Sequence, residues 1–103
     1  MSIISSRNSS GGVPIVREAN MLKPVQQESI NIAQQAIKKY GGYHVGQRSN
    51  IAKQIQSDMN RKYGRHWQCI VGNDYGSAIA FKKQNHIVFQ IDRAFITLFK
   101  GVC

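Results

Sequence analysis

The chain has 103 residues, of which 42% are hydrophobic, and 14 basic against five acidic residues give it a net charge of +9. This length fits one domain, and the apolar content excludes a wholly disordered chain. No apolar run is long enough to cross a bilayer, and the first residues lack the apolar centre of a secretory signal. We therefore expect a cytoplasmic or nuclear protein.

The distribution of the basic residues bears on the class of partner. They occur singly or in pairs such as Lys38-Lys39 and Lys82-Lys83, and no run of five or more is present. This scatter favours a soluble basic surface over a nucleic-acid site. A basic nucleic-acid-binding module is nevertheless the alternative function that a pI near 10.0 suggests.

The N-terminal region divides into a tail and the start of a domain. Residues 1–12 are rich in serine, glycine and asparagine, which predicts a disordered extension before a domain over residues 13–103. The apolar segment 13–17 contains Pro14. This segment suits an edge strand, because proline cannot donate a hydrogen bond to a neighbouring strand.

Two amphipathic helices are predicted next. Apolar residues recur at helical spacing from Pro24 to the glycines at 41 and 42, which end the first helix. After a loop, Ser49 or Asn50 is a candidate cap for a second helix that ends at Gly64. The predicted apolar positions are Val25, Ser29, Ile32, Ala33, Ala36, Ile37 and Tyr40 in the first helix, and Ile51, Ala52, Ile55, Met59 and Tyr63 in the second.

Beyond His66 the apolar period changes to two, which predicts β-strands. The strands are expected over residues 67–71, 75–81, 86–91 and 94–99. Short turns between them predict an antiparallel meander. Helices followed by strands indicate an α+β domain with two helices packed on one face of a mostly antiparallel sheet.

Patterns for catalysis and metal binding are absent from the sequence. His44, His66 and His86 have no second ligand at the spacing of a zinc site. Cys69 and His66 are three residues apart in an extended segment, so their side chains point to opposite faces and cannot form a nucleophile pair. We therefore expect a protein that is not an enzyme and holds no cofactor or metal.

The uncharged segment 76–81 indicates binding instead. Its flanks carry Asp74 and Lys82, and an unpaired strand of this kind templates pairing with another chain. Three alternatives stay open: pairing within a dimer, addition of an incoming peptide as an extra strand, or an ordinary internal strand.

The chain around this segment reads Lys62-Tyr63-Gly-Arg-His-Trp67-Gln-Cys69-Ile-Val-Gly72-Asn-Asp-Tyr-Gly76-Ser77, and its tail carries Leu98-Phe99-Lys100. Both stretches resemble the eight-kilodalton cytoplasmic dynein light chain family, as does Gln26-Gln27-Glu28-Ser29 in the first helix. The resemblance extends over about residues 14–101, with an insertion at 41–47.

The resemblance implies a strand-swapped dimer in which each protomer lends its 75–81 strand to the partner's sheet. Client peptides then add as an extended strand in a groove at the dimer interface, often through a Thr-Gln-Thr-like motif. The implied partners are a second copy or another light chain, and the dynein intermediate chain or other disordered clients. The implied location is the cytoplasm and cytoskeleton, or the axoneme of a cilium or flagellum.

Site residues follow from the resemblance in three peptide-binding groups and one dimer interface. The peptide-binding groups are the strand Tyr75, Gly76, Ser77, Ala78, Ile79, Ala80 and Phe81, the wall His86, Val88 and Gln90, and the helix start Arg48, Ser49 and Asn50. The dimer interface comprises Gln68, Ser77, Ile79 and Phe81. Ala78, Ala80 and the wall residues replace larger or aromatic family residues, which predicts a specialised paralogue with altered clients, such as a subunit of an axonemal dynein arm.

Overall fold

Helices and strands were assigned in a computed structural model, which describes residues 13–73 and 85–101. The strands are β1 (Ile15–Asn20), β2 (Trp67–Gly72), β3 (His86–Ile91) and β4 (Ala94–Lys100), and the helices are α1 (Lys23–Lys39) and α2 (Arg48–Tyr63). A short 3-10 helix, Val45–Gln47, leads into α2. Two helices packed on a four-stranded antiparallel sheet confirm the predicted α+β class. The predicted tail 1–12 and strand 75–81 lie outside the described residues.

Helix α1 begins and ends where Pro24 and the glycines at 41 and 42 predict. Pro24 lies in its first turn, where the missing N–H is not needed. At the other end, Gly41 and Gly42 both adopt positive φ angles and stop the helix. Ser29 is fully buried, and its hydroxyl donates to the Val25 carbonyl oxygen at 2.7 Å. This bond satisfies a polar group inside the apolar face that α1 turns toward α2 and the sheet.

The predicted cap of α2 is wrong. The helix begins at Arg48, and Gln47 is its N-cap without a side-chain capping bond. The preceding 3-10 turn, closed by a bond from the Gln47 N–H to the His44 carbonyl oxygen at 2.8 Å, runs directly into the helix. Ser49 and Asn50 therefore lie within the first turn, where the Asn50 side chain donates to Gln47 Oε1 at 2.9 Å.

Gly64 turns the chain from α2 into β2. Its φ of 92° and ψ of −176° lie in a region that essentially only glycine adopts. Its N–H donates to the Asn60 carbonyl oxygen at 3.1 Å, and the Asn60 side chain accepts from the Trp67 N–H at 3.0 Å. Asn60 thus fastens both sides of the turn.

Replacing Gly64 with alanine should lower the free energy of unfolding by about 1–3 kcal/mol, because the turn requires a backbone conformation that strains other residues. Crowding is not the cause, since a Cβ at this position meets only Lys100 Nζ at 3.5 Å. Gly46→Ala is the matched control, because Gly46 has open space around it and no positive φ. Urea unfolding of the two variants checks this, and equal losses would contradict it.

The strand order corrects the predicted meander. Among the described strands the order is β1-β3-β4-β2, so β2 pairs with the last strand, β4, which a simple meander would leave beside β3 alone. Turn signals specify that consecutive strands reverse direction, but they do not specify which strands become neighbours. Among the described strands β1 lies at the edge, as predicted, but it spans Ile15–Asn20 rather than residues 13–17, so Pro14 precedes it. It contains a bulge between Val16 and Glu18.

The sheet has two apolar faces, and the helices cover only the first. Buried residues of α1 and α2 form one cluster with alternate residues of the sheet, Trp67, Val71, Ile87, Phe89, Ile91, Ala94, Ile96 and Leu98. Val88 and Phe99 belong to the opposite face, and both are buried although they lie outside that cluster. This second face carries the predicted wall residues.

Candidate functional site

The wall predicted on β3 lies on the second sheet face. Val88 is fully buried, His86 is 4% exposed, and Gln90 is half-buried at the end of the strand. Gln90 accepts a hydrogen bond from Arg17 Nη2 at 2.7 Å and donates to the Asp92 carbonyl oxygen at 3.0 Å. His86 Nε2 lies 4.0 Å from the Glu18 carboxylate on β1. The wall is therefore buried at His86 and is polar and accessible at Gln90.

Residues predicted on the neighbouring groove strand cannot be placed beside this wall. Tyr75, Gly76, Ser77, Ala78, Ile79, Ala80 and Phe81 lie outside the described residues. The described chain stops at Asn73, directly after β2, and resumes at Asn85, directly before β3. The groove prediction thus remains a prediction, anchored by the strands on either side.

The start of α2 lies beside the loop that joins the helices. Arg48, Ser49 and Asn50 form its first turn, where backbone N–H groups have no acceptor within the helix. Arg48 Nε donates to the Tyr43 hydroxyl at 3.3 Å, and that hydroxyl donates to Asn73 Oδ1 at 2.5 Å. Tyr43 therefore links the first turn of α2 to the end of β2.

A cavity of about 620 Å³ opens between this loop and the β3–β4 turn. Its lining residues are Tyr43, His44, Asn73, Gln90, Asp92, Arg93 and Phe95. Gln90 of the predicted wall thus opens into the same cavity as Tyr43, the hydrogen-bond partner of Arg48. Of the predicted site residues, Gln90 lines this cavity, and Arg48 reaches it only through its contact with Tyr43.

Tyr43, Asn73 and Arg93 were not among the predicted site residues. They come from a loop, a strand end and a hairpin turn, which no sequence spacing connects. The one available signal was the insertion at 41–47, because an aromatic residue in an added loop needs a place to pack.

The edge of the sheet at β2 carries the predicted interface residue Gln68. Among the described strands, β2 has a hydrogen-bonded neighbour only on the β4 side. Gln68 is exposed and lies opposite Phe99, which lies opposite His86 in the next strand. These three residues form one row across the second face. Ile70, 37% exposed, follows in the next row of the same face.

Cys69 points from β2 toward the helix-covered face. Its side chain packs against the core cluster, and burial raises the pKa of its thiol because a thiolate is poorly solvated there. The thiol therefore stays protonated and unreactive at neutral pH.

Neither a cluster of metal ligands nor a membrane-spanning helix is found in the described region. In residues 13–73 and 85–101, no three His, Cys, Asp or Glu side chains converge as metal ligands would. No helix of the same region has the length and apolar character needed to traverse a membrane.

Solved structures with the same fold include two of one protein. The dynein light chain-like domain of the Fasciola hepatica calcium-binding protein FhCaBP2, as a mercury derivative, superposes with a TM-score of 0.72 at 18% identity, covering 87% of this chain and 93% of that one. A native crystal of the same domain gives a TM-score of 0.75 at 16% identity, covering 99% and 100%. Identities this low establish the fold alone.

Sequence comparison shows the family of this chain as well as its fold. The family model "Dynein light chain type 1" matches residues 13–101. A dynein light chain of Schistosoma mansoni is 35% identical over 87 residues, which make up 84% of this chain and 92% of that protein. The residues matched by the family model include both helices, all the described strands and the β2 motif Trp67-Gln-Cys69-Ile-Val-Gly72. This chain therefore belongs to the dynein light chain family.

Proposed function

We propose that the chain works as a non-catalytic, dimeric dynein light chain that binds extended client segments by strand addition. The observation that carries the proposal is the edge of β2, which has no strand beside it in the described region. A sheet edge that is left unpaired pairs with an added strand or becomes an aggregation hazard. Strand exchange through residues 75–81 of a partner subunit would satisfy that edge and form the client groove beside it.

The second sheet face supports dimerisation. Gln68 and Ile70 are exposed on it at the β2 edge, whereas Val88, Thr97 and Phe99 are already buried within the chain. Among the described residues, it is therefore the β2 side of this face that a partner can cover. A chain of this length has only a modest core, so further burial between subunits would add substantially to its stability. The proposed interface residues are Gln68 on this face, and Ser77, Ile79 and Phe81 in the exchanged segment.

Client binding follows from two such grooves in one dimer. Backbone hydrogen bonds along residues 75–81 would supply affinity, the wall His86, Val88 and Gln90 would supply selectivity, and the first turn of α2 would accept a polar client side chain. A second client chain binds at raised effective concentration once the first is bound. The proposed clients are the dynein intermediate chain or other disordered segments, and binding promotes assembly of the motor complex.

Family membership supports an association with dynein and the cytoskeleton. Whether the chain serves cytoplasmic or axonemal dynein depends on which clients it binds. The wall lacks aromatic residues, with His86, Val88 and Gln90 in their place, which supports a client set of its own. Pairing with another light chain of the family is the corresponding heterodimer proposal.

Two measurements on the full chain test the proposal. Sedimentation should give twice the monomer mass of 11.6 kDa. Selection from a random displayed library of extended peptides should then yield sequences that bind one per protomer and retain binding in 0.5 M NaCl. A monomer at every accessible concentration, or a library without enriched peptides, contradicts the proposal. Oligonucleotide binding that collapses with salt, together with no enriched peptide, would favour the nucleic-acid alternative.

A further inference from the structure

The cavity beside the inserted loop has features of a specificity pocket. We call it the loop cleft, lined by Tyr43, His44, Asn73, Gln90, Asp92, Arg93 and Phe95. A second cavity of about 390 Å³ shares the lining residues Tyr43, Asp92 and Arg93. The two cavities together form one open depression at the end of the wall.

The loop side of this depression is held in place by hydrogen bonds. Tyr43 is packed against the core cluster and is bonded through its hydroxyl to both Asn73 and Arg48. The 3-10 turn that follows it leads without a break into α2. A pocket wall fixed in this way loses little conformational entropy when a ligand binds.

The charges around the loop cleft are predominantly positive. Three arginines, Arg17, Arg48 and Arg93, surround it or contact its lining residues, and Asp92 is the one acidic lining residue. Arg93 is exposed and forms no hydrogen bond or ion pair with the described residues, and Arg48 uses only its Nε. The described ion pairs that involve lysine or arginine, Arg61–Asp58 and Lys62–Glu28, lie on the helices, away from the loop cleft.

We propose that the loop cleft is a subsite for an acidic side chain of the client, an aspartate or glutamate carboxylate held by Arg93 with Arg48 behind Tyr43. The inference rests on the proposed function, because the client strand must lie along the wall for its side chain to reach past Gln90. Guanidinium groups bind carboxylates with paired hydrogen bonds, and the Tyr43 and Asn73 side chains add polar partners. The inserted loop thus gives this chain a client preference for acidic residues at one fixed position.

The test compares client selection by the full chain and its variants. A random displayed peptide library is selected on the wild type, on Arg93→Gln, and on the double variant Arg48→Gln with Arg93→Gln. The matched control carries Lys23→Gln and Arg65→Gln. These changes also remove two positive charges, but from exposed positions at the opposite end of the helices. Peptides with Glu, Gln or phosphoserine at the selected position are then titrated by calorimetry.

Wild type and control should enrich Asp or Glu at one position, with Glu binding about five- to tenfold tighter than Gln. Arg93→Gln and the double variant should erase that ratio while leaving the rest of the selected motif intact.

Equal Glu and Gln affinities in the wild type, or equal losses in the control, would overturn the subsite while leaving the groove standing. A phosphoserine preference without a Glu preference would also overturn it, in favour of a phosphate site. A library that enriches no peptide on any variant would instead overturn the proposed function itself.

Discussion

Replacing Phe89 with alanine should remove about 3–5 kcal/mol from the free energy of unfolding, the typical cost of deleting a large aromatic side chain from a core. Phe89 is fully buried in β3, an inner strand, and lies between Val16 of β1 and Ile96 of β4 on the helix-covered face. Since small domains are stable by only about 5–15 kcal/mol in total, this variant should be close to unfolding at room temperature.

Val16→Ala is the matched control for this prediction. Val16 lies directly opposite Phe89 on the same face, but it belongs to the edge strand and is 43% exposed. Its truncation should cost less than about 1 kcal/mol, because its methyl groups are largely hydrated already. Urea unfolding at one fixed protein concentration checks both variants, since dimerisation makes apparent stability concentration-dependent. A Phe89→Ala loss no larger than that of Val16→Ala would show that the core has been misassigned.

A second large effect is expected from Ile79→Pro, which should convert the dimer into monomers and abolish client binding at the same time. Ile79 is central to the segment proposed to exchange between subunits. Proline there removes a backbone donor from the middle of a sheet, and the dimer would lose this donor twice. Because each subunit's fold otherwise rests on its own helices and described strands, the variant should remain folded.

Ile79→Val is the control, since valine keeps both the N–H group and the branched side chain that suits a strand. Sedimentation of the two variants near 10 μM, circular dichroism and titration with a library-selected peptide measure association, folding and binding in parallel. A proline variant that still sediments as a dimer would exclude strand exchange through this segment. A monomeric variant that still binds peptide with wild-type affinity would show that client binding does not require dimerisation.

The sequence alone determined the helices, the described strands and the two sides of the sheet. Helical spacing predicted the apolar face from Val25 to Tyr40, although it missed the buried Ile30. A period of two in the strand over residues 86–91 separated Ile87 and Phe89 from Val88, and the structure shows that the first two face the helices. These features are local: a period of 3.6 or two residues requires one face of an element to be buried wherever that element packs.

Local patterns were less reliable at element ends. The sequence offered Ser49 and Asn50 as caps, but the 3-10 turn at Val45–Gln47 already begins the helical path and makes Gln47 the cap. A capping residue is recognised by its side-chain chemistry, whereas the actual position of a cap depends on how the preceding loop approaches. That approach is fixed here by contacts of Tyr43 with Arg48, which is five residues further on, and with Asn73, which is 30 residues away in sequence.

Only the tertiary structure decided the strand order and the loop cleft. Among the described strands β2 pairs with β4 alone, and no alternation within either strand specifies that choice. The cleft likewise needs Tyr43, Arg93 and Asn73 to meet from three separate segments. Periodicity determines which side of an element is buried, because that depends on near neighbours in the chain. Which elements meet depends on the packing free energy of the whole fold, to which distant residues contribute together.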